Sequence, residues 1–199
     1  MELKDCSLFK NTKIDLDHII IREYQSGHSI ALETEASNNL GIILGGRILV
    51  KSYTLSGNDF TLKRLEVGDY FGDILVFSDS IHCFPGSLIT QGKTKVAIIP
   101  NDTFKRDLFK DNDLMKNFLK ILSNNAYDLS CKSKMLSQDS VRDKILYFLF
   151  QEKRKQKTNV IKLKMTKEEL ANQLFIQRPS LSRELSRMKL DGLIDYDRY

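Results

Sequence analysis

Met165-Thr166-Lys167-Glu168-Glu169-Leu170-Ala171, followed after six residues by Arg178-Pro179-Ser180-Leu181-Ser182-Arg183-Glu184-Leu185, is the stretch on which the reading of this chain turns. Thr166 and Glu169 stand at the spacing of a capping box, in which each side chain satisfies the other's backbone amide. A helix therefore starts at Thr166 and buries Leu170 and Leu174. It yields at Phe175-Ile176-Gln177. A second helix starts near Arg178, where Pro179 is tolerated because first-turn amides have no helical partner. Leu181, Leu185, Met188 and Leu190 form its inner stripe, and Gly192 fits the residue just past its end. Two short helices joined by a tight turn match the geometry with which proteins read the DNA major groove. Arg178, Ser182 and Arg183 face outward from the second helix, flanked by Gln177 and Ser180. Arg can bond a guanine edge in two places, and Ser can bond bases or phosphate. Thr166 and Lys167 are placed to touch phosphate. A plain helical hairpin with a charged face remains the competing reading of this pattern.

Charge supports a polyanion partner. Of the 199 residues, 1–136 hold 17 Lys/Arg and 17 Asp/Glu, whereas 137–199 hold 14 Lys/Arg and 9 Asp/Glu. The net +5 of the chain therefore lies in its last third, a basic segment on a neutral body.

Upstream, Ser140–Glu152 reads as a helix, Lys153-Arg154-Lys155-Gln156-Lys157 as a polar loop, and Val160-Ile161-Lys162-Leu163 as a short strand. Ser137-Gln138-Asp139 breaks the pattern and is the expected hinge. Before it, from Asp113 to Leu136, Met115, Leu119, Leu122, Ala126, Leu129, Ser133 and Leu136 recur at alternating steps of four and three. That is a heptad seam suited to a homodimer. Phe118 and Ile121 lie beside it, so another face of the same helix can pack on a core. Pro100 ends the region before this helix, and Asn101 and Asp102 can cap a short helix containing Phe104 and Leu108.

Nine of the ten glycines fall between Gly27 and Gly92. Short strands are expected there at Ile19–Tyr24, Leu40–Leu44, Arg47–Leu55, Phe60–Leu65 and Lys95–Ile99, with a hairpin turn at Ser56-Gly57-Asn58-Asp59. Many short strands suggest a sandwich or small barrel.

Composition excludes several classes. No apolar run approaches the ~18 residues of a membrane helix. Met1–Lys10 mixes charges with apolar residues and does not read as a signal peptide, so a cytoplasmic location is expected. Cys6, Cys83 and Cys131 offer no metal spacing. His18, His28 and His82 lack the close spacing of a barrel-type metal site. No nucleophile–base pair or phosphate loop stands out, and no enzyme, metal or known cofactor is expected.

The same residues resemble the Crp-Fnr family of bacterial transcription regulators. Thr166–Ala171 and Arg178–Leu185 follow its helix-turn-helix pattern. Gly41-Ile42-Ile43-Leu44-Gly45-Gly46-Arg47-Ile48 and Leu65-Glu66-Val67-Gly68-Asp69-Tyr70-Phe71-Gly72-Asp73 look like its cyclic-nucleotide-binding β-roll. The resemblance implies an α+β fold. Residues 1–112 would form a jelly-roll sensor domain and 113–136 a dimerisation helix. Residues 137–199 would form a winged helix-turn-helix whose wing, begun by Leu193–Tyr196, lacks its returning strand. It also implies double-stranded DNA with a near-palindromic operator as partner, and RNA polymerase as a further candidate. Relatives often carry a base-reading Glu where Pro179 stands, so an unfamiliar operator is expected.

In relatives that bind cyclic nucleotides, a Gly-Glu pair holds the ribose and an Arg about ten residues on neutralises the phosphate. Here Gly72 matches, Asp73 replaces Glu, and no Arg or Lys lies between Phe71 and Gln91. A buried phosphate without a cation is poorly compensated, which argues against cyclic AMP. The pocket implied by the resemblance comprises Phe71, Gly72, Asp73, Phe77, His82, Phe84 and Ser87, open to an unidentified small molecule. Two other readings compete: a ligand-binding module acting through protein contacts, and a cupin-type metalloenzyme.

Overall fold

The computed structural model describes residues 1–33, 35–53, 59–79, 83–163 and 165–197. Six strands come first: β1 (Ile20–Tyr24), β2 (Ser29–Ala31), β3 (Asn39–Tyr53), β4 (Asp59–Leu65), β5 (Tyr70–Phe71) and β6 (Ser87–Pro100). Five α-helices follow: α1 (Asn101–Leu108), α2 (Asn112–Leu136), α3 (Val141–Gln156), α4 (Lys167–Gln173) and α5 (Arg178–Leu190). The chain divides into two compact units, Met1–Asn124 and Asn125–Tyr199, and the division falls within α2.

In the first unit every strand pairing is antiparallel. β3 is the hub and pairs with β4, β5 and β6, while β6 also carries β1 and β2. The two strands expected at Leu40–Leu44 and Arg47–Leu55 are one strand, Asn39–Tyr53. Its register against β6 shifts on either side of Gly45. Gly46 there has φ +78°, and a Cβ on it would lie 2.4 Å from the carbonyl oxygen of Lys93. Glycine thus lets one long strand bulge and bend where the sequence suggests a break. Ser56-Gly57-Asn58 lies outside the described residues, but Tyr53 opposite Asp59 fixes the antiparallel register that the expected hairpin requires.

Two apolar clusters hold this unit. One joins Leu8 and Phe9 of the N-terminal segment to Leu40, Ile42, Ala97 and Ile99 of the sheet and to Phe104, Leu108, Leu114 and Phe118 of the helices. Phe104 and Phe118 meet edge to face at 5.0 Å. The other fills the roll between strands with Ile43, Ile48, Leu65, Phe71, Phe84, Leu88 and Val96. Helix α1 departs from expectation at its start. Pro100 takes the capping position, and Asn101 is fully buried with a side chain that bonds no described residue. The cap of α2 is Asp111, whose carboxylate accepts amides from Asp113, Leu114 and, across the chain, Lys13. These three donors hold it below the usual aspartate range.

The second unit packs Met135, Ile145, Phe148, Leu170, Ala171, Leu174, Leu181, Leu185 and Met188 into one core. Ser140 caps α3 through the amide of Asp143. Two expectations fail here. Lys153–Gln156 is the last turn of α3 rather than a loop, because these residues are good helix formers and the basic ones oppose the dipole at a helix C-terminus. Val160–Leu163 is not a strand, and no described segment pairs with it. Residues 193–197, where the wing is expected to begin, also hold no strand. No helix among the described residues is long and apolar enough to cross a membrane.

Candidate nucleic-acid interface

The capping box forms as the sequence predicts. The Thr166 hydroxyl accepts from the Glu169 amide at 3.2 Å, and the Glu169 carboxylate accepts from the Thr166 amide at 2.8 Å. The Thr166 hydroxyl proton also goes to this carboxylate, so Thr166 acts chiefly to set the start of α4. Lys167 lies beside it, exposed, with Nζ 5.3 Å from the centre of the Tyr196 ring.

Helix α4 ends in a Schellman motif. The Ile176 amide bonds the Ala171 carbonyl, and the Phe175 amide bonds the Asn172 carbonyl. The left-handed residue this motif requires is Phe175, at φ +54° and 58% exposed. Helix α5 closes with the same motif around Gly192 at φ +72°, where Leu193 and Gly192 bond Met188 and Lys189. A Cβ makes the left-handed region costly, by roughly 1–2 kcal/mol. Phe175→Gly is therefore expected to stabilise the protein by about 1 kcal/mol, read as a higher midpoint in urea unfolding, because the exposed ring gives back little burial.

Helix α5 buries Leu181, Leu185 and Met188. Leu190 departs from the expected inner stripe: it is 87% exposed, because the helix ends there and the chain turns away at Asp191. The opposite face carries the candidate readers. Gln177 and Arg178 are exposed at its start, and the Arg178 Nε lies 3.7 Å from the Glu168 carboxylate. Ser180 and Ser182 are half-buried. Arg183 is exposed, with the Ser180 hydroxyl accepting from its Nη2 at 3.5 Å. Arg187, one turn on, is exposed as well and was not singled out by the sequence pattern.

Two supports for this face escape sequence reasoning. Arg142 of α3 donates to Glu184 at 2.6 Å and reaches Asp191 at 2.8 Å, joining the middle and end of α5 to α3. Both carboxylates hold the Arg142 guanidinium above its usual range. Tyr196 lies under Lys189 as well as Lys167, at 5.2 Å, and Asp195 pairs with Lys189. That pairing holds the Asp195 carboxyl low and the Lys189 ammonium high. No spacing rule announces such partners, because they meet across separate elements.

In the β-roll, Phe71 and Phe84 are buried and pack edge to face at 6.0 Å. The Phe71 ring lies over Gly41, so close that a Cβ there would fall 1.9 Å from it. Gly72 has φ +76°, and a Cβ on it would meet the Asn39 carbonyl oxygen at 2.3 Å. Asp73 is buried at the start of a 3₁₀ turn. Ser87 is buried and accepts from the Glu33 amide at 3.1 Å. Phe77 does not join them. It is 53% exposed and packs with Phe109 and Phe118. His82 lies outside the described residues. Phe71 and Phe84 pack there with Ile43, Ile48, Leu65, Leu88 and Val96. Cys6 is buried with its thiol 3.1 Å from the Tyr70 hydroxyl. Burial and this thiol push the Tyr70 phenol above its usual range. Among the described residues no three His, Cys, Asp or Glu gather as metal ligands would.

Along α2, the expected seam is uneven. Met115 and Leu122 are half-buried against the first core, whereas Leu119, Ala126, Leu129, Ser133 and Leu136 are exposed. Leu119 and Leu129 are 54% and 68% exposed.

Comparison with known proteins agrees with both halves. Residues 21–111 match the cyclic nucleotide-binding domain, and residues 143–199 match the Crp-like helix-turn-helix domain. The cAMP-dependent protein kinase regulatory subunit of Neurospora crassa is 28% identical over 104 residues, which are 52% of this chain and 26% of that protein. This chain thus spans about a quarter of that relative. Among solved structures, a CooA mutant from Carboxydothermus hydrogenoformans is 20% identical and superposes with a TM-score of 0.66, over 92% of this chain and 82% of that one. The regulator CLP of Xanthomonas campestris is 19% identical, with a TM-score of 0.61 and 92% of both chains covered. A cyclic-nucleotide-binding-like roll followed by a Crp-like helix-turn-helix, in this order and over about three quarters of the sequence, places the chain in the Crp-Fnr family of transcription regulators.

Proposed function

We propose that the protein is a homodimeric, sequence-specific DNA-binding transcription regulator whose roll does not answer to a cyclic nucleotide. The observation that carries the first part is the outer face of α5. Arg178, Arg183 and Arg187 stand exposed on a helix whose other face is anchored by Leu181, Leu185 and Met188, behind a firmly capped α4. This is the way a recognition helix presents side chains to a major groove. The exposed leucines of α2 supply the seam for a second copy, and a two-fold dimer would read half-sites about one helical turn, ~34 Å, apart. Regulation would be a shift between two arrangements of the DNA-binding halves about Ser137–Asp139.

The signal is a separate matter. One relative is named for cAMP and the neighbour CLP is a c-di-GMP responsive regulator, so the fold leaves the effector open. The apolar packing around Phe71 and Phe84, and a sequence with no Arg or Lys between Phe71 and Gln91, disfavour a bound phosphate.

Selection from a random duplex library, followed by titration at several salt concentrations, tests the DNA reading. Enrichment of a near-palindrome with salt-dependent affinity is expected. Salt-independent or absent DNA binding would favour a module acting through protein contacts. Calorimetry with cyclic AMP is expected to give no heat of binding, and micromolar affinity would overturn that part.

A further inference from the structure

The end of α3 holds a cleft of about 390 Å³ lined by Lys153, Arg154, Lys157, Thr158 and Asn159. No carboxylate among the described residues lines it. Lys155, on the other side of the helix, is paired with Glu152 at 3.1 Å. Arg154 leans on the exposed Phe150 ring at 6.0 Å. The loop beyond is pinned: the Gln156 side-chain amide accepts from the Lys162 amide at 3.0 Å and donates to the Lys162 carbonyl at 3.1 Å. The Thr158 hydroxyl accepts from the Val160 amide, which leaves its proton available to donate.

We propose that Lys153, Arg154 and Lys157 form a second phosphate-binding surface, which takes the sugar–phosphate backbone of duplex DNA beside the stretch read by α5. The proposal rests on the DNA-binding reading above. Three cations bordered by neutral donors suit a row of phosphodiesters, which asks for charge and direct donors but no fixed orientation. Basic residues in a last helical turn also offset the helix dipole, but that role needs neither a concave arrangement nor the absence of an acidic partner.

Its position favours DNA over a free anion. Lys162, held against Gln156, precedes Thr166 by four residues, so at most ~14 Å of chain separates the pinned loop from the start of α4. One DNA strand presents a charge every ~3.4 Å of helix axis. Measured along that axis the reach covers at most about four phosphates, so the cleft and Lys167 fall within a few phosphates of one another. The basic excess of residues 137–199 is then arranged along a track rather than scattered.

Neutralising a phosphate releases counterions and contributes ~0.9 to the slope of log affinity against log salt. The test uses the full chain and a fluorescent 40-base-pair duplex of random sequence, titrated between 50 and 300 mM KCl. The triple variant K153Q/R154Q/K157Q is expected to lower the slope by about 2–3, while K153R/R154K/K157R keeps it. Lys157→Gly is a second, fold-sparing variant: Lys157 has φ +53°, so glycine relieves strain while removing one charge, and the slope should fall by ~0.9. A slope unchanged in the triple variant and in Lys157→Gly would overturn the proposal. So would protection from thermal unfolding by pyrophosphate that the triple variant loses while its DNA slope stays intact, since the cleft would then serve a free anion. If the unmodified protein itself binds the duplex with no salt dependence, the DNA reading fails first, and the two failures are told apart by that measurement.

Discussion

Replacing Leu119 and Leu129 together by Glu is expected to convert the protein from dimer to monomer in sedimentation analysis and to lower affinity for a two-half-site operator by about 10²–10⁴-fold. The two leucines sit at seam positions of α2 and are among the most exposed apolar side chains of the chain. Within one chain they bury little, so the substitutions cost little folding stability where they stand. Across a two-fold seam each Glu would meet its own copy, and like charges brought into an apolar contact are strongly disfavoured. The drop in DNA affinity follows from geometry rather than from any lost base contact. Two linked recognition helices bind the second half-site as an intramolecular step, and a monomer forgoes that gain. A double variant that stays dimeric would place the interface elsewhere. One that becomes monomeric but keeps full operator affinity would show that one helix-turn-helix suffices.

Arg183→Ala is expected to weaken operator binding by ~1–3 kcal/mol, about 5–150-fold, and to relax the preference at one base pair in each half-site. Arg183 is exposed, and among the described residues it makes a long bond to Ser180. Removing it should therefore leave the folded protein intact and act on DNA alone. Competition against mismatched operators separates this from a phosphate contact, which would weaken all sequences equally. Unchanged affinity and preference in Arg183→Ala would reassign base reading to other residues of the α5 face, with Arg187 the first candidate.

Most of the second unit was legible in the sequence because its signals are local. Thr166 with Glu169, Gly192 past α5, and the spacing of Leu181, Leu185 and Met188 each act within a turn or two. Leu190 was misplaced because a stripe rule has no knowledge of where the neighbouring helix ends. Phe175 was legible as a break but not as a left-handed residue, since a bulky ring is an unusual occupant of that region. Arg142 and Tyr196 were invisible because their partners lie on other elements, and no periodicity links α3 to the middle of α5. In the first unit, Gly45 and Gly46 look like a turn between two strands. The unbroken strand depends on pairing with β6, a long-range fact. Asn101 looks like a cap because Asn usually is one, yet the backbone there is already shaped by Pro100, and the side chain turns inward.

The Phe71 ring seated on Gly41 has a consequence for how such a roll can diverge. The two positions share one volume, so neither can change size without consequence: a larger residue at 41 collides with the ring, and a smaller one at 71 leaves an empty chamber beneath the strand. Variation that keeps the roll filled therefore has to arrive in compensating pairs. A chain that acquired the small partner at 71 while keeping glycine at 41 would gain, in a single step, a hollow interior for a guest.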